Sequence, residues 1–229
     1  MRIQTTLTLV AILAAAALSA SAQTTTDWTI DDFTTGQYQS PEFFSGPTHD
    51  SIQYGKMMGS SRDTNMYICP TTTPCPTYNP YNQPSSYSFS TGYGTTYKPA
   101  FVQTAGFEVG PRIDMGYGYH GAMNKDFTPY QKIRVNFKGL TQTLNFNIQL
   151  FTTYWWAQGG CNIPAYAGEF AIELPINKFV TTSGFNLSDV TAMDFIFQDG
   201  SYIAGVDFAI TSIELTNTTK PGTTIPCHF

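Results

Sequence analysis

The amino-acid sequence predicts an all-β fold, an antiparallel β-sandwich, and three observations carry this prediction. Apolar and polar residues alternate with a period of two in segments of five to eight residues. Turn signals such as Lys138-Gly139, Asp199-Gly200 and Lys220-Pro221-Gly222 bound these segments. No stretch after Gln23 holds a helical period for ten residues. Short alternating segments with turn signals between them are typical of sandwiches and barrels.

The clearest predicted strand begins at Leu144. Its even-numbered positions are apolar and its odd-numbered positions are amides, so one face is suited to a core and the other to solvent. Four further segments show the same alternation. The apolar positions of the five segments are Leu144, Phe146, Ile148 and Leu150; Ile133, Val135 and Phe137; Phe170, Ile172 and Leu174; Phe195 and Phe197; and Phe208 and Ile210.

The first 22 residues have the pattern of a signal peptide. Arg2 supplies positive charge, residues 7–18 are apolar, and Ala20-Ser21-Ala22 fits a cleavage site. The apolar run is short for a membrane span. We therefore expect a secreted protein, extracellular or periplasmic, with a single domain over residues 23–229 and no stable membrane span after cleavage.

The charge balance argues against a nucleic-acid partner. Without Arg2 the chain has 10 basic and 16 acidic residues, and no cluster of Lys or Arg remains to neutralise a phosphate backbone. Charged residues are only 12% of the chain, so hydroxyls, amides and aromatic rings dominate the predicted surface. Nothing in the sequence indicates an oligomeric state.

Four cysteines in an exported chain predict two disulfides, for which three connectivities exist. Cys69 and Cys75 enclose a short segment with two prolines, so we expect them to pair and to leave Cys161 with Cys227. A metal site made of cysteines is disfavoured, because the export route is oxidising and no C-x-x-C motif occurs.

Residues 69–99 form a Pro/Tyr-rich insertion that differs from the rest of the chain. It holds six of the fourteen prolines, five tyrosines and no acidic residue. We expect an extended loop or a ragged hairpin pinned by the small disulfide. Such a loop is either a tolerated surface insertion or a binding element.

Several short motifs occur in an order known from other proteins. They include "IDDFTTG", "GKMMGSSRDTNMYI", "DFTPYQKIRVNF", "AIELPINKF" and "DFAITSIEL". This order resembles bacterial secreted β-sandwich proteins similar to the galactose-binding-like jelly roll of the complex I intermediate-associated domain. The resemblance covers most of residues 27–216 and implies a jelly-roll sandwich, but such sandwiches carry many functions.

Two adjacent tryptophans follow the amide-bearing strand. If this strand runs unbroken from Leu144 to Trp156, Trp156 points into the core and Trp155 lies on the face of Asn145, Asn147 and Gln149. A row of amides that ends in an indole is suited to a sugar, and Tyr154 directly precedes this indole in the chain. The predicted ligand-binding residues are therefore Trp155, Asn145, Asn147, Gln149 and Tyr154. Alternatively, a bulge before Gly159 turns both indoles into the core, or Trp155 covers a sheet edge.

Carboxylates could serve a metal ion or catalysis. Asp31 or Asp32 on the first strand and Glu214 on the last could flank a structural Ca²⁺, which prefers oxygen ligands and which similar jelly rolls often carry. No other cofactor is predicted. A glycosidase needs two carboxylates at a fixed distance, and no spacing singles out a catalytic pair among Asp31, Asp32, Asp114, Asp194, Asp199, Asp207 and Glu214.

Together these features predict a secreted, non-catalytic binding module at the cell envelope or outside the cell, with a glycan as its ligand. Two alternatives remain. One is a structural or adhesive surface protein without a small ligand, and the other is a glycan hydrolase or lyase. Two carboxylates facing each other across a cleft would favour the enzyme.

Overall fold

The structure is a computed structural model that describes residues 27–44, 46–68, 83–93, 98–106, 109–199 and 205–227. The predicted signal peptide and the predicted Cys69–Cys75 disulfide lie outside these residues. Within them, no helix is long and apolar enough to cross a membrane.

The described residues form two sheets, and the first of them has seven strands. Its order from edge to edge is β12, β10, β9, β13, β7, β4, β3, and every neighbouring pair is antiparallel. The strands are β3 (Gly46–Tyr54), β4 (Ser61–Ile68), β7 (Arg112–Tyr117), β9 (Leu144–Phe151), β10 (Trp156–Ile163), β12 (Val180–Thr181) and β13 (Ala192–Asp199).

The second sheet has eight strands in the described part of the chain, in the order β15, β11, β8, β14, β6, β5, β2. The first strand, β1, pairs with β14 off this path. One pair, β11 with β15, is parallel. The strands are β1 (Trp28–Asp31), β2 (Tyr38–Gln39), β5 (Ser85–Tyr93), β6 (Lys98–Ala105), β8 (Lys132–Leu140), β11 (Phe170–Pro175), β14 (Phe208–Thr216) and β15 (Thr224–Pro226).

The predicted all-β sandwich is confirmed. The described helical elements are three short 3₁₀ turns, at Met58–Ser60, Ile176–Lys178 and Leu187–Asp189. All five predicted apolar faces are buried between the sheets. Aromatic rings join the two layers, since Phe197 of β13 lies 6.1 Å from Phe101 of β6 and 5.3 Å from Phe208 of β14.

Part of the Pro/Tyr-rich insertion belongs to the core. Residues 85–93 form β5, which pairs with β6 in a hairpin, and Tyr87 and Phe89 are each 1% exposed. The described part of the insertion thus supplies a core strand, and the hairpin pinned by the small disulfide stays a prediction. Its alternation of serines with Tyr87 and Phe89 places the rings on the inner face of the sheet.

The predicted Cys161–Cys227 disulfide is confirmed, with a Cα–Cα distance of 5.3 Å. Cys161 lies in β10 of the seven-stranded sheet, and Cys227 directly follows β15 of the other sheet. The bridge therefore closes one side of the sandwich and holds its carboxyl-terminal strand.

A buried arginine crosses the interior at the opposite part of the sandwich. Arg62 of β4 is fully buried and forms a salt bridge with Asp31 of β1 at 2.5 Å. It also donates to Gln53 and to the backbone carbonyl of Gly36, and its guanidinium lies 3.4 Å from the ring centroid of Phe89. Arg62 has the structural bridging role that planar, multiple donors allow.

Candidate functional site

The outer face of the seven-stranded sheet carries the predicted amides. Asn145, Asn147 and Gln149 of β9 all point outward and are partly exposed, as the alternation predicted. Across the register they meet two amides of β10, Asn162 opposite Asn145 and Gln158 opposite Gln149. We call these five residues the amide face.

Hydrogen bonds orient the amide face. Asn147 donates to Asn145 at 2.7 Å, and Asn145 donates to Asn162 at 3.1 Å. Gln158 donates to Asn147 and Gln149 donates to Gln158, each at 3.4 Å. The longer bonds leave the glutamines freer than the asparagines to turn toward a ligand.

The predicted core position of Trp156 is wrong. The strand does not run on to Trp156, because β9 ends at Phe151 and the chain reverses through Thr152–Trp155 into β10. Trp156 lies directly opposite Phe151 on the outer face, and it is 41% exposed where the sequence placed it in the core. Since residues 156 and 158 share a face, Trp156 lies on the same side as the amide face.

Trp155 and Tyr154 lie in the turn itself. Trp155 is 44% exposed, and its indole covers Gly184, where an added Cβ would lie 2.9 Å from the ring. Its amide donates to Oγ1 of Thr152 at 3.2 Å. Tyr154 is 84% exposed at the tip of the hairpin. The structure therefore groups these two predicted ligand-binding residues at the end of the sheet and not within the row of amides.

Three outward rings line the end of the outer face, and we call them the aromatic row: Trp156, Phe151 and Tyr119. Trp156 pairs with Phe151 across β10 and β9. The rings of Phe151 and Tyr119 lie 6.4 Å apart, and Tyr119 is 49% exposed. The aromatic row runs across the strands beside Gln158 and Gln149, so rings and amides face the same solvent.

A groove of about 470 Å³ continues this surface toward β3. The strand register puts Asp194 of β13 and Asp63 of β4 on either side of Gly116 of β7. Because glycine lacks a side chain, the ring of Tyr119 and the carboxylate of Asp194 come close to its Cα; an added Cβ would lie 2.6 and 2.7 Å from them. We call the groove, which also contains Asp50, Asp114 and His120, the acidic groove.

Side-chain pairs hold the acidic groove in shape. The hydroxyl of Tyr119 donates to Oδ2 of Asp194 at 2.7 Å, and Nε2 of His120 lies 2.8 Å from Oδ2 of Asp63. Arg112 donates through Nε and Nη2 to the two carboxylate oxygens of Asp114, at 2.7 and 2.8 Å. These contacts fix the carboxylates at the wall of the groove.

Burial raises the pKa of Asp194 to about 6, even though the Tyr119 hydroxyl donates to it and favours the ionised form. The charges of Asp114 and Asp63 raise this pKa further, and Arg112 lowers it. Burial and the Asp194 carboxylate likewise raise the pKa of the Tyr119 hydroxyl, which stays protonated as a donor.

The predicted calcium ligands each form hydrogen bonds or ion pairs with other side chains. Asp31 binds Arg62 and accepts from Tyr117, Asp32 accepts from Thr34, and Glu214 accepts from Lys220 and Ser212. Among the described residues, no three His, Cys, Asp or Glu side chains gather into a group that could hold a metal ion. In the structure these carboxylates bind other side chains, and calcium binding stays a prediction.

Sequence reasoning missed most of the acidic groove. Asp114 and Asp194 were candidate carboxylates, but Asp50, Asp63, Tyr119 and His120 were not connected to them. The available signal is the segment "GYGYHG" at residues 116–121, but alternating glycines and aromatic residues are typical of any twisted strand or turn. Only the register of the strands shows that these residues lie together in one groove.

No family model and no curated protein matches the chain. Among solved structures, a family 11 carbohydrate-binding module from Clostridium thermocellum, in complex with a β-1,3-1,4-mixed-linked tetrasaccharide, is similar with a TM-score of 0.41 and 10% identity, over 85% of this chain and 98% of that chain. A family 30 carbohydrate-binding module of a Clostridium thermocellum cellulosomal cellulase has a TM-score of 0.43 and 11% identity, over 85% and 99%. An exo-β-agarase has a TM-score of 0.38 and 8% identity, over 59% and 23%. Similarity at this level does not transfer a function, so the assignment depends on this chain's own side chains.

Proposed function

We propose that the chain is a secreted, non-catalytic module that binds a glycan on the outer face of its seven-stranded sheet. The carrying observation is the exposed indole of Trp156, aligned with Phe151 and Tyr119 and flanked by Gln158 and Gln149. The predicted signal peptide and the Cys161–Cys227 disulfide support export, because disulfides persist in oxidising compartments.

The chemistry of this surface matches a sugar ring. A flat indole covers the apolar C–H face of a pyranose, and amides both donate to and accept from its hydroxyls. The outer surface from Gln158 of β10 to Asp50 of β3 crosses five strand spacings, or about 24 Å. This length favours an oligosaccharide over a single sugar.

The test is a glycan array probed with the protein and with Trp156→Ala. Trp155→Ala is the matched control, because Trp155 is equally exposed but lies in the turn. We expect the protein and the control to bind the same glycans and Trp156→Ala to lose them. A folded protein that binds no glycan on the array would contradict the proposal and favour a structural or adhesive role.

One observation favours a second candidate function, a glycan hydrolase. Asp63 and Asp194 face the same groove from strands two spacings apart, or about 10 Å between backbones. Inverting glycosidases hold their two carboxyl groups about 6.5–9.5 Å apart, and the acid has a raised pKa, as Asp194 does. Release of reducing ends from a bound glycan, abolished in Asp194→Asn, would favour the enzyme; binding without release favours the module.

A further inference from the structure

The acidic groove adjoins the aromatic row, and Tyr119 belongs to both. A glycan laid along the aromatic row would therefore reach the carboxylates of Asp194 and Asp63 with its next residues. The cross-strand row that starts at Gln158 continues through Gln149 and Asp194 to Gly116 and Asp63. In this row the carboxylates therefore lie directly next to the amides.

Hydrogen-bond acceptors outnumber donors in the acidic groove. Among its titratable side chains, four aspartates lie beside Tyr119 and His120, each of which is already hydrogen-bonded to one of the aspartates, and Arg112 next to the groove is bound to Asp114. In addition, Oδ1 of Asn65, which lines the groove on β4, is buried and accepts no hydrogen bond from any described residue. A buried acceptor without a donor is costly, so it favours a ligand that brings donors.

The charge of the groove restricts the ligand further. A uronic acid or a sulfated sugar would bring a negative charge next to Asp63 and Asp194. The positive charge of Arg112 is balanced by its two hydrogen bonds to Asp114. An ammonium group has three donors and no acceptor, and it matches this surface in both charge and hydrogen bonding.

Resting on the proposed glycan-binding function, we propose that the acidic groove binds a protonated amino group of the glycan, so that the preferred ligand is an amino-sugar oligosaccharide with free amines. Asp194 and Asp63, which lie on either side of Gly116, bind the ammonium group. Oδ1 of Asn65 accepts a hydrogen bond from the same sugar. The aromatic row stacks on the neighbouring sugar residues.

The test compares two ligands that differ only in this group: a β-1,4-linked glucosamine hexamer and its fully N-acetylated counterpart. Titration calorimetry at roughly pH 6.5 keeps Asp194 mostly ionised. We expect the amine hexamer to bind about tenfold more tightly, because hydrogen bonds between charged groups are stronger than neutral ones. Raising the ionic strength from about 0.01 to about 0.15 M should weaken only the amine hexamer, since it shortens the screening length from about 30 to about 8 Å.

Single substitutions test which residues cause the preference for the amine hexamer. Asp194→Asn and Asp63→Asn should each weaken the amine hexamer about tenfold and leave the acetylated hexamer within about twofold. Asp126→Asn is the control, because Asp126 is exposed, contacts Thr128 and lies outside the groove. It should change neither affinity.

Four results would overturn the inference. If both hexamers bind equally, or if the two groove variants leave the amine hexamer unaffected, the groove does not select an amine, while glycan binding stands. If neither hexamer binds but another array glycan does, the ligand class is wrong and the proposed function stands. If no glycan of any class binds the folded protein, both fail.

Discussion

The guanidinium of Arg62 and the carboxylate of Asp31 meet 2.5 Å apart between the two sheets, and both side chains are almost completely buried. The hydroxyl of Tyr117 also donates to Asp31, at 2.9 Å. This pair joins β4 of one sheet to β1 of the other and fixes the wall behind the acidic groove.

Arg62→Met should lower the free energy of unfolding by about 3–5 kcal/mol, because it leaves the Asp31 carboxylate buried without its partner. Urea unfolding measures this loss. The double variant Arg62→Met/Asp31→Leu removes both charges and should regain part of it. An unchanged unfolding midpoint in Arg62→Met would show that the buried pair contributes nothing.

Asp194→Asn should stabilise the protein above about pH 6. The folded pKa of Asp194, about 6, lies above its ordinary value of 3.8, so the folded state binds the proton more tightly than the unfolded state. The contribution of Asp194 to the free energy of unfolding is therefore present at low pH. It falls by about 2–3 kcal/mol as the pH rises from about 4 to about 6. Burial is the main cause of this raised pKa; Asp114 and Asp63 raise it further, and Tyr119 and Arg112 lower it.

The measurement is the difference in unfolding free energy between the protein and Asp194→Asn at several pH values. Taking the difference removes the contribution of the other carboxylates. The advantage of the variant should grow between about pH 4 and pH 6 and then level off. A difference that is flat across this range would mean that Asp194 titrates as an ordinary aspartate.

Gly116→Ala should displace Tyr119, because the new Cβ would lie 2.6 Å from its ring and 2.7 Å from the Asp194 carboxylate. The Tyr119–Asp194 hydrogen bond breaks and the aromatic row loses one ring, so glycan affinity should fall roughly tenfold. Gly139→Ala serves as a control, since its Cβ would meet nothing within 4 Å. Equal affinities for the two variants would contradict the role given to Tyr119.

Loss of the Cys161–Cys227 disulfide should lower stability by about 4 kcal/mol, the chain-entropy value for a loop closed across 66 residues. The double variant Cys161→Ser/Cys227→Ser avoids a free thiol. Thermal unfolding measures the loss, and peptide mapping without reduction checks the linkage. Recovery of Cys161 linked to another cysteine would contradict the connectivity.

The sequence was sufficient for the five predicted strands and their inner faces, because period-two alternation follows directly from burying one face of a sheet. It was insufficient at the hairpin of Thr152–Trp155, which holds no Gly, Pro, Asn or Asp to mark a turn. The reversal there depends on the pairing of β9 with β10, and missing it placed Trp156 on the wrong face.

The acidic groove could not be predicted for a different reason. Its carboxylates come from β3, β4, β7 and β13, which lie far apart in the sequence. They meet only because the strand order and register bring Asp63, Gly116 and Asp194 into one row. The local alternation of apolar and polar residues predicts each strand, but it contains no information on the order of the strands or on their register.

The most direct test of the account is the glycan affinity of Trp156→Ala measured beside that of Trp155→Ala, with unfolding curves for both. Trp156→Ala should lose about 2 kcal/mol of binding, or about 30-fold in affinity, as truncation of a central aromatic contact does, while staying folded because the indole is 41% exposed. Trp155→Ala should bind as the unchanged protein does. Full affinity in Trp156→Ala, with the loss confined to Trp155→Ala, would place the ligand at the hairpin turn and contradict the outer-face site.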